Sequence, residues 1–292
     1  MNKLKMKSKD PLASSQETSK LNEFDIENYK RLQPINYLKQ MIKENKRSDL
    51  IRSSVRQIRL IKINNNSIST SNGSSLVSIG NTSVLCGIRF EVSEPNFMNP
   101  NQGYIIPNIE IGSLCSSKFK PNQINEQSQT ILTQLKMILK SSEIIEPSSL
   151  VIQPEKLVWV IYIDVICLSN DGNVLDASII SITQALQTAK RPQVEFDIET
   201  NEVILLDPNF FEPIPIPLNH TIHPFTFSIF EKREWLVDPT LFEEDHSKGS
   251  VTVVLDSKKK LRYLLVSGEV QQGSGVLNDC LQFSFNNLNI NS

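Results

Sequence analysis

The run from Leu157 to Leu168 constrains the fold most strongly, because it is a nearly unbroken series of Val, Ile and other apolar residues. Its length and β-branched composition predict a strand that is buried on both faces. Asn170–Asn173 follows, and its Asn-Asp-Gly-Asn sequence is typical of a turn. Small and apolar residues then recur on one helical face over 177–185. The chain therefore contains a strand, turn and helix unit at the centre of an α+β domain.

Turn residues and hydrophobic periodicity predict further elements on both sides of this unit. Pro34 is suited to the first position of a helix, and Gly80-Asn81 to a tight hairpin. The segments before the central unit are a helix over 34–44, a strand over 55–63, a loop over 64–74, hairpin strands over 75–79 and 83–92, and a helix over 127–139. The segments after it are strands over 194–198, 203–206, 225–230, 235–237, 251–255 and 261–266, and a helix from Val276 that carries Leu277, Leu281 and Leu288.

The pattern divides the chain into a leader and two α+β domains. Residues 1–22 are mostly small, polar and charged, so they bury too little apolar surface to offset the entropy of ordering, and we expect a disordered leader. Residues 23–190 form the predicted first domain. The pattern breaks near Lys190–Pro192, and residues 191–292 form the predicted second domain.

The charge balance argues against a free-standing nucleic-acid-binding module. The chain has 30 Lys and Arg residues against 32 Asp and Glu residues, which gives a formal net charge of −2. Such a module usually carries a basic patch interleaved with aromatic residues. Any RNA contact in this chain must therefore be local or shared with partner chains.

Cysteine and histidine positions predict no metal site. The cysteines are far apart in the sequence and lack the short spacing of a zinc site, so we expect buried free thiols in a reducing compartment. His220 and His223 precede or flank Pro224 and are expected to be polar surface residues. The four cysteines are Cys86, Cys115, Cys167 and Cys280.

No apolar run is long enough to span a bilayer, and no secretory signal is recognisable, so an intracellular location is expected.

Several longer strings resemble those of RNase PH-like subunits of the eukaryotic RNA exosome ring. The similarity runs from about Pro34 to about Cys280 in the family's order and spacing. The Asp-Gly-Asn-x-x-Asp and Asp-Pro-Thr-x-x-Glu-Glu segments are similar to the branch related to the archaeal non-catalytic subunit. The strings are GSSLVSIGNTSVLCGIRF from Gly73, GYIIPNIEIGSLCSS from Gly103, KLVWVIYIDVICLSNDGNVLDA from Lys156 and VDPTLFEED from Val237.

The resemblance implies an α+β fold of two β-α-β-α-type halves, with mixed sheets packed against helices. It further implies a hexameric hetero-ring of RNase PH-like subunits, which is capped by RNA-binding subunits and works on RNA with an associated exoribonuclease. The expected location is the nucleus, nucleolus and cytoplasm. No cofactor is implied.

The residues that active family members use to bind phosphate are missing from this chain. Phosphorolysis needs positive groups and N–H donors around the attacking phosphate, and arginine matches phosphate bidentately. Active members resemble one another in a Gly-Gly-Arg or Gly-Thr-Gly-Arg string, where this chain has Pro121–Asn125, and in Asp-Gly-Gly-Thr-Arg, where it has Asp171–Leu175. We therefore expect a non-catalytic subunit that holds and threads RNA. The alternative is an active phosphate-dependent 3′-to-5′ exoribonuclease.

Three carboxylates lie within these strings, and a structural role is the expectation for each of them. Asp171 is the vestigial-site position, although a turn aspartate more often caps its own backbone. Asp176 lies in the first turn of the predicted helix, where the helix dipole stabilises a carboxylate. Asp164 interrupts the apolar strand, and a buried carboxylate there needs an ion-pair or hydrogen-bond partner.

Basic residues at two places are candidates for RNA contacts. Lys118 and Lys120 flank Phe119, and such a group can hold a phosphate and stack a base, but a solvated loop is the more frequent outcome. The family's Arg-Pro-Asp-Gly-Arg string is replaced by Arg47–Arg52, Arg-Ser-Asp-Leu-Ile-Arg. That departure argues against RNA contacts by Arg47 and Arg52.

Overall fold

The computed structural model describes residues 23–112, 115, 126–196, 203–206, 210–230, 234–269 and 275–288. The predicted disordered leader, residues 1–22, lies outside these ranges. Pro34 occupies the first turn of its helix as predicted, because its fixed φ fits there and its missing N–H would have no intrahelical partner. The helices are α1 (Glu23–Leu32), α2 (Pro34–Lys43), α3 (Glu126–Ser142), α4 (Val174–Thr188), α5 (Leu241–Asp245) and α6 (Val276–Asn286), with a 3₁₀ helix at Pro147–Leu150.

The first half of the chain forms a six-stranded mixed sheet. The strand order is β1-β2-β3-β6-β4, with β5 also paired to β6. Strand β4 runs parallel to β6, and the other pairs are antiparallel. The predicted hairpin is confirmed, since Ile79 pairs with Thr82 and Gly80 supplies the positive φ of +57°. The strands are β1 (Ile61–Asn65), β2 (Gly73–Ile79), β3 (Thr82–Ser93), β4 (Tyr104–Ile111), β5 (Val151–Gln153) and β6 (Leu157–Ser169).

The second half contains a four-stranded sheet of order β12-β11-β13-β14, in which every described pairing is antiparallel. Helix α6 packs on it, and the Phe227, Trp235 and Phe283 rings meet edge to face. Two short strand pairs, β7 with β10 and β8 with β9, lie between the larger sheets in sequence. The strands are β7 (Lys190–Arg191), β8 (Val194–Phe196), β9 (Val203–Leu205), β10 (Ile214–Pro215), β11 (Ile222–Ile229), β12 (Trp235–Val237), β13 (Gly249–Asp256) and β14 (Leu261–Gly268).

Helix α4 joins the two halves because it contacts β2 and β3 of the first sheet and β11 of the second. The small and apolar stripe predicted for α4 is only part of its buried surface, because 12 residues of the helix are buried and they cover nearly its whole circumference. The first apolar core also includes Ile216, Ile222 and Val254 from the second half. The α+β prediction is confirmed, and the boundary between 23–190 and 191–292 stays a prediction.

One strand prediction was wrong at both ends. The strand expected over 55–63 begins at Ile61 and continues to Asn65, into the expected loop. The residues before Ile61 bend toward the second half, where Arg59 contacts Asp238. A contact between distant parts of the chain therefore overrides the local alternation of residues.

Two expectations about polar residues were also wrong. Asp164 is not buried, since its side chain is 38 % exposed, although it does have a partner in Arg89 at 3.2 Å. His220 and His223 are buried instead of lying on the surface, and the His220 ring bonds the Ser142 carbonyl. Both histidines border the junction where the first core receives residues of β11, so burial there follows from packing between the halves.

No helix in the described part of the chain is long and apolar enough to cross a membrane. Likewise, the described His, Cys, Asp and Glu residues form no group of three that could hold a metal ion.

Candidate functional site

The turn between β6 and α4 lies against the segment that leads into α5. Gly172 has a φ of +83°, and a Cβ there would clash with the backbone at Thr240 and Leu241. Only glycine combines that conformation with so close an approach. Asn173, also with a positive φ of 58°, then precedes the helix. Packing between the two halves thus requires Gly172, and asparagine is a residue type that tolerates the positive φ at position 173.

Arg59 connects this turn to Asp238. Its Nη2 and Nε atoms donate to the two Asp238 carboxylate oxygens at 2.7 and 2.9 Å, and it also donates to the Asp171 and Gly172 carbonyls. Burial alone would raise the pKa of Asp238, but the hydrogen bonds from Arg59 lower it below its usual range. This bidentate pair holds the two halves together and keeps Asp238 ionised.

Asp171 does not cap its own backbone, and that prediction was wrong. Asn170 accepts from the Gly172 N–H instead, at 2.9 Å. The Asp171 carboxylate accepts from Asn81 at 3.2 Å and lies 4.0 Å from Arg59. Because Asn170 takes the local bond, Asp171 is free to face the β2–β3 hairpin.

Asp176 is fully buried and binds across the junction. It accepts from the Thr226 N–H and hydroxyl at 2.9 and 2.7 Å and from Asn173 Nδ2 at 2.9 Å. Burial raises the pKa of Asp176 to about 6 even though these bonds favour the ionised form. The helix dipole alone therefore does not account for this residue, which links α4 to β11.

Glu244 is a further carboxylate of the junction. Its Oε1 accepts from the Asn173 N–H at 2.7 Å, and burial raises its pKa to about 7. It lines a cleft of about 260 Å³ between α3, the start of α4 and the second sheet. Among the described residues that line this cleft, Glu244 is the charged one, and hydroxyl and amide side chains such as Ser228, Thr252 and Gln134 supply the polar surface.

Three arginines that precede β1, Arg47, Arg52 and Arg59, are buried against the segment that leads into α5. Arg47 pairs with Glu243 at 2.8 Å with both side chains fully buried, and it also donates to the Val237 and Asp238 carbonyls. Arg52 pairs with Asp49 at 2.7 Å and donates to the Asp238 carbonyl. Together with Arg59 these residues bind protein groups, so Arg47 and Arg52 are not placed to contact RNA.

Only some of the residues predicted from the sequence lie at this site. Lys118, Phe119 and Lys120 lie outside the described residues, as does Pro121–Asn125. Asp171 and Asp176 do lie at the junction. Arg59 and Glu244 were missed, although Glu244 falls within a string already used for the resemblance. An arginine before a strand carries no local signal that its partner is 179 residues away.

Comparisons with known proteins agree with this architecture. The family model described as "3' exoribonuclease family, domain 1" matches residues 57–192. The model described as "3' exoribonuclease family, domain 2" matches residues 221–287. The chain belongs to the RNase PH family. The two matched regions meet at the junction described above, with Arg59 and Asp176 in the first and Asp238 and Glu244 in the second.

Similar proteins within the family are exosome components. "Exosome complex component rrp43" of Schizosaccharomyces pombe is 35 % identical over 254 residues, covering 87 % of this chain and 92 % of that protein. "Exosome complex component Rrp42" of Thermococcus onnurineus is 37 % identical over 219 residues, covering 74 % and 77 %. The strings Cys115–Ser117 and Leu157–Trp159 are most like ribosomal RNA-processing protein 43, also called exosome component 8, and the first of these relatives confirms that resemblance.

Solved structures show the same fold. The structure described as "archaeoglobus fulgidus exosome with RNA bound to the active site" contains a chain that is 27 % identical, with a TM-score of 0.75 and coverage of 86 % of this chain and 93 % of that one. Rice Rrp46, at 20 % identity and a TM-score of 0.60, shares the fold. The resemblance to RNase PH-like exosome subunits is confirmed.

Proposed function

We propose that this chain is a non-catalytic ring subunit of an RNA exosome, which holds and threads RNA for 3′-to-5′ processing and degradation by an associated exoribonuclease. Its partners are other RNase PH-like subunits of a hexameric hetero-ring, RNA-binding cap subunits and RNA. The proposed location is the nucleus, nucleolus and cytoplasm. Family membership and the similarity to exosome components support this proposal.

The charge of the cleft is the observation that supports the proposal that this chain is non-catalytic. Phosphorolysis requires an inorganic phosphate, and the developing charge on its oxygens must be stabilised by cations or N–H donors. The charged residue among the described cleft residues is a carboxylate, Glu244, which repels phosphate when ionised. The nearby arginines at positions 47, 52 and 59 are buried in pairs with Glu243, Asp49 and Asp238.

Assembly with unlike subunits is supported by apolar surface on the two sheets. Ile106, Ile166 and Leu168 are each more than a third exposed on the open face of β4 and β6. The edge strand β14 also exposes Leu264 and Val266. An uncovered apolar sheet edge favours association with another chain. We expect the chain to aggregate or self-associate alone, and co-expression with RNase PH-like partners to give one soluble assembly.

The alternative function, an active phosphate-dependent exoribonuclease, predicts a different product. The chain alone and in its co-expressed assembly would be incubated with 3′-labelled RNA and inorganic phosphate, with an active RNase PH as positive control. We expect no nucleoside diphosphate from this chain. Release of nucleoside diphosphate that requires phosphate and disappears with Asp171→Asn would refute the non-catalytic proposal, whereas nucleoside monophosphate would indicate a hydrolytic contaminant.

A further inference from the structure

The loop between β3 and β4 presents two adjacent apolar side chains to solvent. Phe97 and Met98 form its tip, and their exposed fractions are 103 % and 88 %. A single exposed apolar residue is ordinary, whereas a contiguous apolar patch commonly marks an interaction site. Phenylalanine and methionine are also enriched at protein–protein interfaces. The tip of this loop is therefore a candidate contact surface.

Hydrogen bonds and prolines hold the tip in a defined turn. The Asn99 N–H donates to the Asn96 carbonyl at 3.0 Å, and the Met98 N–H donates to the Asn96 side-chain oxygen at 3.2 Å. Pro95 and Pro100 stand on either side of the turn, and the proline ring fixes φ. Because the turn is already ordered, little conformational entropy is lost when another chain binds to it.

A cleft of about 550 Å³ lies beside the tip, between this loop and the start of β6. Pro95, Phe97, Pro100 and Leu157 form its apolar wall. Its volume falls within the range of roughly 300–1,000 Å³ that is typical of binding pockets. The cleft therefore has room for an apolar side chain of another molecule.

The charge of the cleft favours a cation. The charged residues among those described along it are two glutamates, Glu94 and Glu155, and one lysine, Lys156. Glu155 has a positive φ of 64°, and such strain in a residue other than glycine persists only where the surrounding structure enforces it. The exposed Phe97 ring can also hold a lysine or arginine on its face. A polyanion such as RNA is repelled by the same carboxylates.

We propose that the Phe97–Met98 tip and the adjacent cleft are a docking surface for a segment of another protein chain, in which an apolar side chain stands beside a lysine or arginine. The apolar side chain enters the cleft, and the cation meets Glu94 and Glu155. This inference rests on the proposed function, because the partner is expected within the co-purified assembly. It goes beyond that function by assigning the surface and the chemistry of the segment that binds there.

This docking surface is separate from the exposed apolar sheet residues described above. Leu157 lines the cleft at the start of β6, whereas Ile166 and Leu168 are exposed near the end of that strand. At about 3.3 Å per residue, the strand from Leu157 to Leu168 is roughly 35 Å long. The two surfaces can therefore be occupied by different chains at the same time.

The test places p-benzoylphenylalanine, a photocrosslinking amino acid, at position 97 of the full chain in its co-purified assembly. We expect irradiation to join this position to one peptide of a different protein, in which an apolar residue is next to a lysine or arginine. Glu94→Lys combined with Glu155→Lys should lower the crosslink yield roughly fivefold or more, because like charges then face each other. Both glutamates are exposed, so the charge reversal should leave the fold intact.

The same probe at position 210 is the matched control. Phe210 is also 82 % exposed, but it is not among the residues that line this cleft. We expect a much lower crosslink yield from position 210, and no change in that yield when Glu94 and Glu155 are reversed.

Several outcomes would overturn the proposal. They are a crosslink from position 97 to RNA alone, to a second copy of this chain or to a peptide without a basic residue, and a yield that is no higher than from position 210 or that charge reversal does not change. The peptide mapped with both carboxylates in place decides the question even if the charge reversal impairs folding. Failure to recover any assembly would count against the proposed function and this surface together, whereas a recovered assembly without the crosslink would count against this surface alone.

Discussion

The segment from Val237 to Asp245 separates two regions of opposite charge character. On one side Arg47, Arg52 and Arg59 are buried and bonded to its carbonyls and carboxylates. On the other side lies the cleft, where the charged residue among those described is Glu244. The comparison teaches that the described arginines beside this segment bind protein groups and join the two halves.

The largest expected effect comes from breaking the buried pair behind the segment. Arg47→Met removes the cation that lies 2.8 Å from the buried Glu243 and leaves it with the more distant Arg52 at 3.8 Å, which costs about 3–5 kcal/mol of unfolding free energy. Arg31→Met is the matched control, because the Arg31–Glu27 pair is exposed and contributes little. Urea denaturation of the co-purified assembly measures both. Equal stabilities of the two variants would contradict the structural role given to Arg47.

A smaller loss is expected at the turn that touches the segment. Gly172→Ala forces a positive φ on a residue with a side chain and places its Cβ against the Thr240 and Leu241 backbone, at a cost of about 2–4 kcal/mol. Gly112→Ala serves as the comparison, since the nearest atom to its Cβ is 3.7 Å away. Thermal unfolding should separate the two variants. A Gly172→Ala chain as stable as Gly112→Ala would show that the halves do not meet there.

The cleft side is tested through the pH dependence of stability. Burial raises the pKa of Glu244 from 4.5 to about 7, so the folded chain binds more protons than the unfolded chain between these values, and stability falls as pH rises through that window. Glu244→Gln keeps an oxygen for the Asn173 N–H and removes the titration. We expect a flatter profile and a gain of up to about 3 kcal/mol above pH 7, because each pH unit between the two pKa values is worth about 1.4 kcal/mol.

Asp238 provides the opposite control for that measurement. Its pKa is lowered, so the stability it contributes is present above the ordinary pKa of 3.8 and is lost as pH falls below it. The acid limb of the profile should therefore be unchanged in the Glu244→Gln chain. If Glu244→Gln altered stability only on the acid limb, Glu244 would not be the carboxylate that titrates near neutrality.

The smallest effect concerns the proposed RNA contacts. If RNA reaches this subunit through Lys118 and Lys120, the double change to Glu should weaken RNA retention by the assembly roughly two- to tenfold at low salt and less at high salt, because fewer counterions are released. Crosslinking and filter binding at two salt concentrations measure this. Equal retention at low salt would remove Lys118–Lys120 from the RNA path.

Local sequence was enough to predict most elements of the fold. The β-branched run of β6, the turn after it and the stripe of α4 follow from periodicity and turn chemistry, and so do the β2–β3 and β13–β14 hairpins. The strand over 55–63 failed because its residues leave the sheet to contact Asp238. At the candidate site, Asp171 and Asp176 were found by their position, but the partners of both were not.

The sequence by itself determined most of the elements, the α+β class and the family, because these depend on apolar spacing, turn residues and strings that lie within a few residues of one another. Only the tertiary structure decided which charges are neutralised and which remain. Arg47 and Glu243 are 196 residues apart, and Arg59 and Asp238 are 179 apart. Pairing across such separations depends on how the two sheets pack around α4. Burial then sets the charge of each group, by stabilising paired ions and raising the pKa of carboxylates such as Glu244.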